Sequence, residues 1–171
     1  MNIIASAVTL NVDDVAASSA SFTTYLGFHE SVASGAYACL VLPVSTVEDY
    51  HALYRMLLNK GTLNGERILS RASVALMTMD HLTPEQKAEK DAFGDHFGRH
   101  GGFGFGMAVS THSRDLVSPG QFGWDGGLGT TAYADPAEDL VGILLTQSAM
   151  DSVHAPRLHR DFWITAYQTI G

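Results

Sequence analysis

The chain has 171 residues, 46% of them hydrophobic and only 16% charged, with a net charge of −8. That length and apolar content fit one compact domain, or at most two very small ones sharing a core, and the acidic balance without a Lys/Arg cluster argues against a nucleic-acid partner. No apolar run approaches the ~20 residues of a membrane span and the first residues lack the basic start of a signal peptide, so no membrane partner and a cytoplasmic location are expected.

In chain order, residues 5–12 alternate apolar with small or polar side chains and read as a strand. Asp13 and Asp14 then offer an N-cap to a helix through VAASSASFTTYLG, which Gly27 ends. Residues 28–32 and 37–44 read as two more strands about a turn at Ser34-Gly35, giving a βαββ start. The one cysteine, Cys39, lies in the apolar run YACLVLPV; it reads as a small buried hydrophobe and has no internal disulfide partner. From Val44 the texture changes. Ser45-Thr46 followed by Glu48 starts a helix, in which Tyr50, Leu53, Tyr54, Leu57 and Leu58 recur at helical spacing until Lys60-Gly61 stops it. GERILSRASVALMTMDHL repeats the device with Ser70 as cap, and TPEQKAEKDAFGDHFGRHGG reads as a short surface helix followed by a loop. Strands are expected over residues 103–111, 120–124, 129–134 and 140–146, with turns at Ser118-Pro119-Gly120 and Asp135-Pro136. A final helix over residues 156–170 is expected to present Leu158, Phe162, Trp163, Ala166 and Ile170 to the sheet. The fold class is therefore α+β: a mainly antiparallel sheet, built from the C-terminal strands plus one or more strands of the first segment, with packed helices and the C-terminal helix on the sheet.

The run from VSTVEDYHALYRMLLNKG through GFGFGMAV and FGWDGGLGTTAYADPAEDLVGILLTQ to RLHRDFWITAYQTI resembles the C-terminal part of the serine β-lactamase/D-alanyl-D-alanine peptidase superfamily, closest to its class C-like, carboxylesterase-containing branch. The resemblance implies that Trp124-Asp125-Gly126 stands at the third active-site motif, in its W-x-G form, and that Gly127 supplies half of the oxyanion hole. Glycine suits that place, because a strand edge without side chains approaches a carbonyl closely and a fixed N–H stabilises developing negative charge. The first part, SAVTLNVDDVAASSASFTTYLGFHES, is similar to the opening of the vicinal oxygen chelate group of glyoxalases, dioxygenases and bleomycin-resistance proteins. That resemblance implies a metal-ligating His on the first strand, where this chain has Ala7. The expected organisation is a mosaic of a vicinal-oxygen-chelate-like segment 1–43 and a β-lactamase-like segment 44–171, with one shared core.

The serine family's chemistry needs S-x-x-K, which sets a Lys amine beside the Ser hydroxyl one helical turn away. The lysines are Lys60, Lys87 and Lys90, preceded three residues earlier by Leu57, Pro84 and Lys87, so the motif is absent; so is Y-x-N or S-x-N. Trp124, Asp125, Gly126 and Gly127 are accordingly expected to be a vestigial wall, with no confident catalytic residue. His96 and His100 have the spacing of two helical metal ligands, but flanking glycines and the want of an intervening Glu favour a solvated loop. His154 and His159 are expected at a cap or on the surface. The GFGFG tract at 102–106 lacks a P-loop Lys and reads as strand glycines. Ser18, Ser19 and Ser21 read as polar-face residues of a helix. No cofactor and no metal are expected; the partners expected are a small-molecule ligand and a second copy of the chain, through a bare sheet edge. The leading function is a truncated β-lactamase/esterase relative that is non-catalytic or binds a small molecule. The alternatives are a metal-free vicinal-oxygen-chelate-type binding module and a residual hydrolase with a non-standard nucleophile.

Overall fold

A computed structural model describes the strand backbones at 7–8, 29–34 and 37–41, and residues 47–88, 101–113, 115–152 and 154–170. The helix expected over 13–27, its serines, the join at Val44, the Ser45-Thr46 helix start and the His96/His100 pair lie outside these. Two compact units divide the chain, residues 1–49 and 50–171.

In the first unit β1 (Ala7–Val8), β2 (His29–Ser34) and β3 (Tyr37–Val41) form an antiparallel sheet in the order β1-β3-β2, with a register shift between Glu30 and Val32. The expectation that these strands would join the C-terminal sheet is corrected: among the described residues they pair with one another. The physical reason is proximity in sequence, since β2 and β3 form a hairpin and β1 adds to its free side.

The second unit holds α1 (Val47–Leu58), the short ribbon β4 (Thr62–Leu63) and β5 (Glu66–Arg67), α2 (Arg71–Met77) and α3 (Pro84–Ala88). It then forms a five-stranded antiparallel sheet of β6 (Gly101–Phe103), β7 (Ala108–Ser110), β8 (Phe122–Gly126), β9 (Thr130–Asp135) and β10 (Leu140–Leu144), followed by α4 (Arg157–Gln168). The strands run in sequence order across the sheet, and α4 packs on it, so the α+β class stands. The stop signals work as expected: Lys60 and Gly61 take positive φ, 55° and 94°, and the Gly61 N–H closes on the Met56 carbonyl at 2.8 Å. Gly61 is also required by space, because a Cβ there would lie 2.1 Å from the Leu69 carbonyl oxygen. Ser70 caps α2, its hydroxyl accepting from the Ser73 N–H at 2.9 Å.

One strand expectation is overturned. Residues 103–111 do not form a single strand; the chain reverses between β6 and β7, where Gly104 N–H donates to the Met107 carbonyl at 2.9 Å and Gly106 takes φ 79°. Alternating aromatic and glycine residues give strand periodicity, but glycine at positive φ turns the chain into a hairpin. Asp80 ties this hairpin to the segment after α2, accepting from the N–H groups of Leu82 and Phe103 and from the Lys87 ammonium.

The strand pleat sorts the sheet into two faces. Phe122 of β8, Ala132 and Ala134 of β9 and Val141 and Ile143 of β10 pack with Tyr54, Met56 and Leu57 of α1 and Val74 of α2 in the apolar core. Their neighbours along the strands, Asp125, Thr131, Tyr133 and Asp135, point to the opposite face, where α4 lies.

Candidate functional site

The expected wall residues sit together at the end of β8 and in the turn that follows, but their side chains part. Trp124 shares the face of Phe122 and meets Phe103 edge-on, centroids 5.6 Å apart at 82°. Asp125, one residue on, is buried on the α4 side, 9% exposed. Gly126 ends the strand, its carbonyl accepting from Gly129 N–H at 2.9 Å, and Gly127 accepts at its own carbonyl from Met150 N–H at 2.9 Å. A Cβ at Gly126 would crowd Thr130 Oγ1 at 2.4 Å, whereas one at Gly127 would meet no atom within 4 Å. The backbone edge at the bend after β8 thus has open space at Gly127.

Behind this edge lies a buried polar layer that the sequence reading missed. His159 of α4 is 2% exposed, and its Nδ1 lies 3.3 Å from Asp125 Oδ1. Tyr133 donates to Asp125 Oδ2 at 3.4 Å. Trp163, one turn along α4, donates to Thr131 Oγ1 at 3.0 Å; Tyr167, a further turn on, donates to Asp135 Oδ2 at 2.6 Å and accepts from Gln121 Nε2 at 3.0 Å. Burial, and then the negative charge and hydrogen bond of Asp125, push the Tyr133 phenol well above its usual range; burial and the bond to Asp135 do the same for Tyr167. Both phenols therefore stay protonated and act as donors. A cavity of about 330 Å³ opens beside the layer, with Ser110, Leu116, Arg160, Trp163 and Ile164 in its walls and Asp125 and His159 in its lining. Among the described residues no group of three or more His, Cys, Asp or Glu side chains is placed to hold a metal ion.

Two expectations are corrected here. His159 is neither a cap nor a surface residue but the most buried side chain of α4. The face of α4 is also rotated from the expected one: Leu158 and Ile170 are 53% and 39% exposed, while His159, Trp163 and Tyr167 turn to the sheet. The spacing i, i+4, i+8 of these three was a readable signal. Trp163 stands on the sheet as expected; His159 and Tyr167 take the places that the more apolar Leu158 and Ile170 were expected to fill.

A five-stranded antiparallel sheet with helices packed on it is the class of fold that the second unit defines. A family model described as Beta-lactamase matches residues 9–161, and the chain belongs to that family. Protein Rv1367c and the uncharacterized protein MT1414, both of Mycobacterium tuberculosis, are each 43% identical over 113 residues, 63% of this chain and 28% of theirs. The chain thus matches under a third of the length of these curated relatives. Among solved structures, the fold is similar to simvastatin synthase (LovD) from Aspergillus terreus, at 18% identity and a TM-score of 0.56 over 80% of this chain and 35% of that one. It is similar also to a penicillin-binding protein homolog from Caulobacter crescentus, at 18% identity and a TM-score of 0.55 over 79% and 33%. EstCE1, described as a hydrolase with promiscuous acyltransferase activity, aligns at 23% identity and a TM-score of 0.52 over 82% and 33%.

The family match begins at residue 9 and crosses the join expected at Val44, so the vicinal oxygen chelate reading of residues 1–43 has no support. A strand, a helix and a hairpin form a pattern that many folds share, and the resemblance had no ligand motif to make it specific. Among the described residues, no helix is long and apolar enough to cross a membrane.

Proposed function

We propose that this chain supplies the substrate-facing wall of a β-lactamase/esterase-type hydrolase and binds a small ester- or amide-bearing molecule there, without forming an acyl-enzyme itself. The observation that carries the reading is the open backbone at Gly127, directly after Trp124-Asp125-Gly126 on β8. In this role Gly127 N–H is the oxyanion donor, Trp124 the apolar side of the site, and Gly126 the residue that lets the ligand lie against the strand. Family membership supports the reading, and so does the likeness in fold to a hydrolase with acyltransferase activity and to a carboxylesterase. The 171 residues contain no S-x-x-K, and a Ser hydroxyl without an adjacent base is almost wholly protonated at neutral pH.

The test incubates the 171-residue protein with a penicillin, a fluorophosphonate and a p-nitrophenyl ester, and follows both intact mass and Trp fluorescence. Saturable quenching without a covalent mass shift is expected. A stoichiometric adduct on one Ser would overturn the non-catalytic part. Absence of any saturable response to all three would overturn the wall itself.

A further inference from the structure

We propose that His159 is a positioning residue for the W-D-G strand: it clamps Asp125 from the final helix and so sets where Trp124 and Gly127 stand. Three side chains fix α4 to the sheet, but they do not reach the same strand. Trp163 bonds Thr131 and Tyr167 bonds Asp135, both on β9. Tyr167 also meets Gln121, just before β8 begins. Only His159 reaches the motif end of β8, through Asp125. Asp125 lies between Trp124 and Gly126, one pleat from each, so a displacement of its carboxylate is carried directly into both neighbours and into the turn that bears Gly127.

The local sequence is built around this contact. A carboxylate this deeply buried is costly unless charged or polar donors face it. Among the described residues two side chains face it from different layers: the Tyr133 hydroxyl donates to Oδ2 from the neighbouring strand at 3.4 Å, and the His159 ring on α4 brings Nδ1 to 3.3 Å from Oδ1, an ion-pair contact rather than a hydrogen bond. Tyr133 reaches it because its cross-strand partner is Gly123; a Cβ at Gly123 would lie 2.5 Å from Tyr133 Cγ and push the ring aside. Tyr133 thus holds Asp125 relative to the sheet, and His159 holds it relative to the helix. A site that must present one N–H at a fixed place needs such support behind it.

The inference rests on the wall reading above, and its test separates the two. Backbone amide spectra and hydrogen exchange of the full chain are compared for His159→Leu, His159→Asn and Tyr167→Phe. In His159→Leu, which keeps bulk but loses the polar ring facing Asp125, the Gly126 and Gly127 amides are expected to shift and to exchange on the order of tenfold faster, as fits the loss of a polar contact to a buried carboxylate. His159→Asn, which keeps a polar group on α4 facing the carboxylate, should restore them. Tyr167→Phe should disturb β9 and leave these two amides in place. Unchanged Gly126 and Gly127 amides in a folded His159→Leu protein, or equal disturbance in Tyr167→Phe, would overturn the clamp and leave His159 a core residue. Should His159→Leu fail to fold, His159→Phe, which keeps a ring and loses Nδ1, gives the same reading: shifted Gly126 and Gly127 amides support the clamp, unchanged ones overturn it. Ligand plays no part in this measurement, so a clamp that responds in a protein binding no ester would remove the wall reading alone.

Discussion

At the scale of single residues, the glycines of β8 and its turn carry different burdens. Gly123 has no room: a Cβ would stand 2.2 Å from the Ala132 carbonyl oxygen and 2.5 Å from Tyr133, backbone and ring together. Gly127 has open space and no left-handed φ. Gly123→Ala is therefore expected to destabilise by about 1–3 kcal/mol, the usual cost of forcing atoms into a packed site. Gly127→Ala should stay within about 0.5 kcal/mol of the parent while changing any ligand response at the wall. Urea denaturation of the two variants checks this, and equal midpoints would show that β8 and β9 can separate to admit a methyl. The sequence shows both glycines as alike in WDGG-type surroundings. Only the register, which sets Gly123 opposite Tyr133, tells them apart.

At the scale of elements, phenols join the layers. Tyr54 of α1 donates to the Ala132 carbonyl at 2.8 Å, Tyr133 of β9 to Asp125, and Tyr167 of α4 to Asp135. Burial comes first in raising all three, with nearby negative charge adding to it, so each folded-state pKa stands above the unfolded one. The sign follows from linkage. The stability these phenols contribute is fully present below the unfolded tyrosine pKa of about 10, and declines as pH rises past it, because the unfolded chain then releases protons that the folded chain keeps. Unfolding free energy measured from pH 8 upward should therefore fall beyond about pH 10, and Tyr167→Phe should make that fall shallower. A flat profile in the parent would show that these hydroxyls are not held as described. The helix pattern of α1 was legible because its face is apolar. The face of α4 was legible only at Trp163, since the His159 and Tyr167 beside it are polar side chains whose burial depends on partners far along the chain.

At the scale of the whole molecule, the second unit ends its sheet on β10, whose sequence LVGIL is followed by Leu145, 47% exposed. Among the described residues β10 pairs with β9 alone, so its outer row of N–H and carbonyl groups is an edge of the kind that recruits another strand. We propose that two copies associate through such an edge, most simply as a two-fold pair. Sedimentation across a wide concentration series should show a dimer growing with concentration, and a single monomeric species throughout would overturn it. The strands of the first unit were expected to share the larger sheet; among the described residues they pair with one another, because a hairpin satisfies its hydrogen bonds locally before any distant edge competes.

Periodicity, caps and glycine stops determined the α+β class, the helices at 47–58 and 71–77 and the strands from β8 to β10, because each depends on contacts within a turn or a hairpin. The run Trp124-Asp125-Gly126 was legible on a strand for the same reason: its residues are adjacent. What only the tertiary structure decided was which face of a strand or helix meets which partner. Trp124 and Asp125 are neighbours in the chain yet work on opposite sides of the sheet, and His159 becomes Asp125's partner only when α4 lies across β8. A polar residue's burial is settled by what faces it: Asp125 takes the Tyr133 hydroxyl from the next strand and the His159 ring from α4, groups brought together by folding from separate parts of the sequence.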